Sequence, residues 1–119
     1  IVILAISPTK QPGEVRDAQR SSDVHAILTA VYQYIIDNDG KFPAGIPTDT
    51  PKEICVARAQ SCNNGVVLDV LTDSYLIKLP SDPAATGTGT DYLIFQDAKG
   101  HITVTAPRTE QKDVISVMK

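Results

Sequence analysis

The sequence predicts an α+β fold: a long N-terminal α-helix packed on a small antiparallel β-sheet. Three observations lead there. Residues 14–39 contain neither Pro nor Gly, and their apolar positions recur at helical spacing. Late in the chain, the strand candidate 91–96 and the alternating segment 101–105 flank a four-residue turn that ends in Gly. Helix first and strands last is the order of α+β architectures, not of alternating α/β ones.

The opening run, Ile1, Val2, Ile3, Leu4, Ala5 and Ile6, is wholly apolar. It lacks the basic region and small-residue cleavage site of a signal peptide. Two readings stand: an N-terminal strand or core plug, or the end of a longer apolar segment that continues upstream. Ser7-Pro8-Thr9-Lys10-Gln11-Pro12-Gly13 then breaks the chain, because Pro8 cannot donate to a helix. Pro12 suits the first turn of a new helix. The expected division is therefore 1–12, a stem remnant with its Pro break, and 13–119, a globular domain.

The helix is expected over 13–39, 27 residues or about 40 Å. Val24, Ile27, Leu28, Val31, Tyr34 and Ile35 form one apolar face in its second half. The first half carries Glu14, Arg16, Asp17, Gln19, Arg20, Ser21, Ser22 and Asp23, with only Val15 and Ala18 as apolar positions. The expectation is a helix packed at its C-terminal end and projecting at its N-terminal end. Asn38-Asp39-Gly40 is its stop, with Gly40 able to adopt the left-handed cap.

Residues 41–74 read as an irregular loop with Pro43, Pro47 and Pro51, stapled by cysteines, with a short helical turn over 66–72. The sheet is expected over about 75–118. Its strands are Tyr75–Leu79, Asp91–Gln96, His101–Thr105 and Val114–Met118, with Asp97–Gly100 as the hairpin turn.

Composition narrows the function classes. A chain of 119 residues forms one domain. Eleven Lys and Arg against fourteen Asp and Glu give −3, which argues against a nucleic-acid binder with a basic face. Four Tyr, two Phe and no Trp are too few for a base-stacking platform. No apolar run approaches the ~20 residues of a membrane span.

Cys55 and Cys62 suit a structural disulfide, and such a bond implies an exported protein. Free thiols and metal or redox chemistry are the alternatives. The spacing is not C-x-x-C, and neither His25 nor His101 has zinc-like spacing to the pair. No Ser lies in a G-x-S-x-G elbow, and no phosphate-binding glycine loop occurs, so no enzyme reading has a specific motif. Asp37-Asn38-Asp39-Gly40 fails the calcium-loop pattern, because Lys41 and Phe42 stand where a ligand and the Gly belong. Asp82, Asp91 and Asp97 are weak calcium candidates; otherwise no metal or cofactor is expected. Arg16, Arg20 and Asp23 share a helix face, and Asp17 sits three before Arg20. They read either as a solvated face or as a zipper of charges between packed copies.

Three stretches carry a family resemblance. They are Val15-Arg-Asp-Ala-Gln-Arg-Ser-Ser-Asp23 with Ile27-Leu-Thr-Ala-Val-Tyr-Gln-Tyr34, then Asp37-Asn-Asp-Gly-Lys-Phe-Pro43, then Tyr75-Leu-Ile-Lys-Leu-Pro-Ser-Asp-Pro83. In this order they resemble the long-helix and pre-sheet segments of type IV pilins and pseudopilins. The resemblance implies a helix-on-sheet subunit of a surface filament, serving adhesion, twitching motility or DNA uptake. Ile1, Val2, Ile3, Leu4 and Ile6 would belong to the stem, and with Arg16, Arg20 and Asp23 would pack copies together. The implied partners are other copies, the pilus assembly machinery, a prepilin peptidase and the inner membrane before assembly. The implied location is an extracellular, cell-surface pilus. The processing site and its glutamate would lie upstream of Ile1. The cysteines lie earlier than the family's usual C-terminal pair, so no receptor role of that region transfers. The alternatives are a pseudopilin of a secretion system, or an exported binding domain or small enzyme.

Overall fold

The computed structural model describes residues 12–48, 50–56, 62, 64–72, 74–110 and 115–118. Its elements are the helix α1 (Pro12–Asp37), strand β1 (Lys52–Cys55), a 3-10 turn (Asp69–Leu71), and strands β2 (Gly89–Gln96), β3 (Ile102–Ala106) and β4 (Ile115–Met118). The strands form one antiparallel sheet in the order β1-β2-β3-β4, and α1 packs over β3 and β4. The α+β class is thus observed: one helix laid on a four-stranded sheet.

α1 starts at Pro12, whose missing N–H costs nothing in a first turn. It ends where the sequence indicates. The Gly40 amide donates back to the Ile35 carbonyl at 2.8 Å, and Asp39 and Gly40 both take positive φ, 57° and 84°. That is a left-handed cap of the Schellman type. Val24, Ile27, Leu28, Ala30 and Val31 are buried, with Tyr34 and Ile35 packed at the edge of the core.

From the sheet, the core receives Tyr92 and Ile94 of β2 and Ile102, Val104 and Ala106 of β3, alternate residues of each strand. Ile115 and Val117 of β4 join its margin, and Ile54, Val66, Leu68, Leu71 and Leu79 close its far side. Each fully buried aliphatic side chain contributes about 1.5–3 kcal/mol. The second half of α1 is held chiefly by this face.

Two strand assignments change. Tyr75–Leu79 is not a strand. The amides of Tyr75 and Leu76 both donate to the Leu71 carbonyl, at 3.0 and 2.9 Å, so the chain is still curling off the 3-10 turn. Leu76 and Leu79 reach the core, while Ile77 is fully exposed. The alternation Tyr75, Ile77, Leu79 therefore never becomes one face. The first strand is instead Lys52–Cys55, inside the stretch expected to be irregular. Four residues between Pro51 and the disulfide are too short to show a period. The sheet accordingly begins at 52, and the expected hairpin β2–β3 is present with Gly100 at φ 87°.

The Cys55–Cys62 disulfide is formed, with Cα atoms 5.4 Å apart. It lies beside an extra parallel bridge, Ile54 to Val66, that covers the outer edge of β1. The Val66 amide donates to the Glu53 carbonyl (2.8 Å), and the Cys55 amide to the Val66 carbonyl (2.9 Å). A Cβ on Gly65 would come within 3.0 Å of the Glu53 carbonyl, the Cys62 carbonyl and Cys62 Sγ. Gly89 is crowded differently, by the Glu53 carboxyl group, which accepts the Asp91 amide at 2.9 Å. Gly65→Ala is expected to cost about 1–3 kcal/mol, because backbone atoms cannot give way. Gly89→Ala is expected to cost less, about 1 kcal/mol, because the Glu53 side chain swings aside and loses one hydrogen bond. Urea unfolding of both variants checks this ranking.

Candidate functional site

The charged first half of α1 does not project as a solvated face. Asp17 and Arg20 are 0% and 1% exposed, and Asp23 is also buried. The i, i+3 and i, i+6 spacing puts all three on the side that faces the sheet. Arg20 is the centre. Its Nε and Nη2 donate to the two Asp82 carboxylate oxygens at 2.7 and 3.0 Å, a fork-to-fork pair. Its Nη1 donates to Asp17 Oδ1 and Glu110 Oε2, both at 2.8 Å. The Glu110 amide returns to Asp17 at 2.9 Å, and Arg16 closes a second fork on the Glu110 carboxylate.

Each acid is placed by its own backbone. Asp82 is a buried turn residue whose side chain accepts the Ala84 amide and whose amide donates to the Thr90 carbonyl, both at 2.8 Å. Glu110 lies on the connection from β3 to β4. Asp23 sits apart from the Arg20 forks, accepting the Tyr92 hydroxyl (2.5 Å) and Gln19 (2.7 Å). The expected Asp17–Arg20 pair is therefore present, whereas Asp23 is held by Tyr92 and Gln19.

The electrostatics follow from these contacts. Hydrogen bonds from Arg16, then Arg20, hold the Glu110 carboxyl down at about 2. The Asp82 carboxylate, followed by Glu110 and Asp17, raises Arg20 further into its charged range. Burial first, and then the Asp23 carboxylate, push the Tyr92 hydroxyl up. Tyr75 is raised by its hydrogen bond to Asp37, 2.7 Å away.

Each calcium candidate has another partner. Asp82 is neutralised by Arg20, and Asp91 pairs with Arg108. Asp97 caps its turn by accepting the amides of His101, first, and Lys99, which hold its carboxyl below the usual range. Among the described residues, no group of three or more His, Cys, Asp or Glu is arranged to hold a metal. His25 donates Nδ1 to the Ser21 carbonyl, and His101 donates Nδ1 to Asp97. Ile1, Val2, Ile3, Leu4 and Ile6 lie outside the described residues. Among those described, no helix is long and apolar enough to cross a membrane.

Among the described residues, two open depressions lie beside α1. One, about 430 Å³, is floored by the arginine node and lined by Arg16, Arg20, Pro83, Ala84, Arg108 and Glu110. The other, about 700 Å³, runs along His25, Ala26, Thr29 and Gln33 and faces Ser74–Leu76. Both are shallow surfaces suited to contact, and neither aligns a nucleophile with a base among the described residues. The buried node was missed in the sequence because Asp82 and Glu110 stand 62 and 90 positions from Arg20. The polar residues at Arg20, Asp17 and Asp23, in phase with Val24, Ile27 and Val31, were the available signal.

Removing the Arg20 charge would take the guanidinium away from two buried carboxylates, Asp17 and Asp82, leaving each with its backbone amide donor, Glu110 and Ala84 respectively. Arg20→Met is expected to cost about 3–5 kcal/mol, with Arg20→Lys intermediate because a point charge cannot fork; denaturant midpoints at neutral pH check both. Glu110 has a depressed folded value, so its contribution is full above the ordinary Glu range. It is lost as pH falls from about 4.5 through about 2. Glu110→Gln is expected to flatten the stability curve in that window, read by urea midpoints from pH 6 to pH 2.

Comparison of the chain with protein-family models, with curated proteins and with solved structures finds no match.

Proposed function

We propose that the chain is a structural subunit of a type IV pilus filament on the bacterial cell surface, not an enzyme. The observation that carries the reading is that the separated stretches resembling pilins bind one another. Arg20 of the helix stretch forks onto Asp82 of Leu79-Pro80-Ser81-Asp82-Pro83. Tyr75, at the start of that same stretch, donates to Asp37 of Asp37-Asn-Asp-Gly40 and stacks edge-on against Tyr34, centroids 6.2 Å apart. Their joint occurrence thus has a physical counterpart: together they form one clamp between α1 and the approach to the sheet.

The surface supports a role in packing. Val15 and Ile36, near opposite ends of α1, are exposed apolar residues, and Ile77 stands fully clear of the domain. Arg16, partly exposed, is the charged member of the expected packing set that reaches the surface. In this reading, copies associate through apolar stems and through this helix surface in open head-to-tail contacts, which build a helical filament. The assembly machinery, a prepilin peptidase and the inner membrane act on the precursor.

The test is the N-terminal sequence and sedimentation of the native protein in a sheared cell-surface fraction. The expected outcome is a pelletable filament whose subunit opens with a methylated residue and a continuous apolar helix leading into Ile1–Ile6. A native monomer starting at or near Ile1 in a soluble fraction would sink the proposal.

A further inference from the structure

Asn64 is exposed, takes positive φ (60°), and is followed by glycine. An asparagine before glycine is chemically labile, because no side chain shields the next backbone nitrogen. That nitrogen attacks Asn64 Cγ. A C–N bond forms, the bond from Cγ to Nδ2 breaks, and ammonia leaves with the proton from the Gly65 amide. Water then opens the five-membered imide at either carbonyl, giving aspartate or isoaspartate.

The fold restrains this nitrogen from both sides. The Gly65 amide donates to the Cys62 carbonyl at 2.6 Å, closing a tight turn. Cys62 is tied to Cys55 of β1 by the disulfide. On the other side, Val66 is pinned to β1 through two backbone hydrogen bonds. To reach Asn64 Cγ, the Gly65 nitrogen must give up its partner and its proton and rotate. The packing also explains why the residue after Asn64 is glycine: a Cβ there would crowd Cys62 and Glu53.

We infer that Asn64–Gly65 is a covalent modification site, a deamidation site that the Cys55–Cys62 disulfide keeps closed. Loss of the disulfide frees Cys62 and with it the acceptor of the Gly65 amide. The turn then relaxes and the reaction proceeds. The product is an added negative charge and, in the isoaspartate form, an extra backbone methylene next to the bridge that covers β1. Because the imide does not revert to the amide, the site records irreversibly that a chain has spent time reduced.

The experiment follows deamidation at mildly alkaline pH by peptide mass mapping in three samples. They are the oxidised chain, the reduced and alkylated chain, and a free peptide of residues 62–66 with its cysteine alkylated. Amide exchange of β3 is recorded alongside. The oxidised chain is expected to react at least about tenfold more slowly than the peptide, the factor imposed by an opening free energy of about 1.4 kcal/mol. The reduced chain is expected to approach the peptide rate with β3 exchange unchanged. Three results overturn the inference: an oxidised chain as fast as the peptide, a reduced chain as slow as the oxidised one, or acceleration only when β3 opens. Asn64→Gln, which cyclises slowly, should abolish the product in every sample; persistence of the mass change would place the reaction elsewhere.

Discussion

A guanidinium cannot shed its proton, so a buried arginine obliges the surrounding chain to deliver acceptors. Arg20 imposes that obligation here. Its acceptors come from the turn before β2, from the connection after β3 and from the preceding turn of α1. Any packing that displaced one of these segments would strand a charge away from water. Such networks often add no more stability than an apolar core of equal volume, but stranding one buried partner costs about 3–5 kcal/mol. The apolar face from Val24 to Val31 supplies the attraction between helix and sheet. Arg20 supplies the register, fixing which loops lie against which turn.

The far side of the sheet is organised around Glu53. Its carbonyl accepts the Val66 amide, and its carboxylate accepts the Asp91 amide. Asp91 is held at φ 64°, where the pairing of β1 with β2 shifts register between Glu53 and Cys55. Thr90 Oγ1 completes the irregularity, donating to the Ile54 carbonyl at 2.7 Å. The bulge turns Asp91 outward toward Arg108 while Thr90 and Tyr92 both stay buried. Of the two crowded glycines, Gly65 is the one that fixed backbone atoms require, while Gly89 lies beneath the movable Glu53 side chain.

Much of this was legible in the residues. The helical period from Val24 to Ile35, the Gly40 cap, the β2–β3 hairpin and the cysteine pair are local patterns, and local physics decides them. What escaped depended on distance. β1 is four residues long and owes its existence to β2 and Val66, neither of them a neighbour in sequence. Tyr75–Leu79 has a strand's alternation, but the Leu71 carbonyl captures its first two amides. The polar half of α1 looked solvated because a buried charge is recognisable only with its partners in view. Spacing alone brings Asp17 and Arg20 together; it says nothing of Asp82 or Glu110.

The split character of α1 has a mechanical meaning. Charge forks are short-ranged and directional, so they stay stiff and then release abruptly. Apolar contact is non-directional and yields in proportion to the area lost. A tug along the helix axis therefore meets a brittle latch before it meets a compliant bearing. Because the latch ties one turn of helix to the segment that leads into β2 and to the segment that leaves β3, the strain divides between two anchorages before any core side chain shifts.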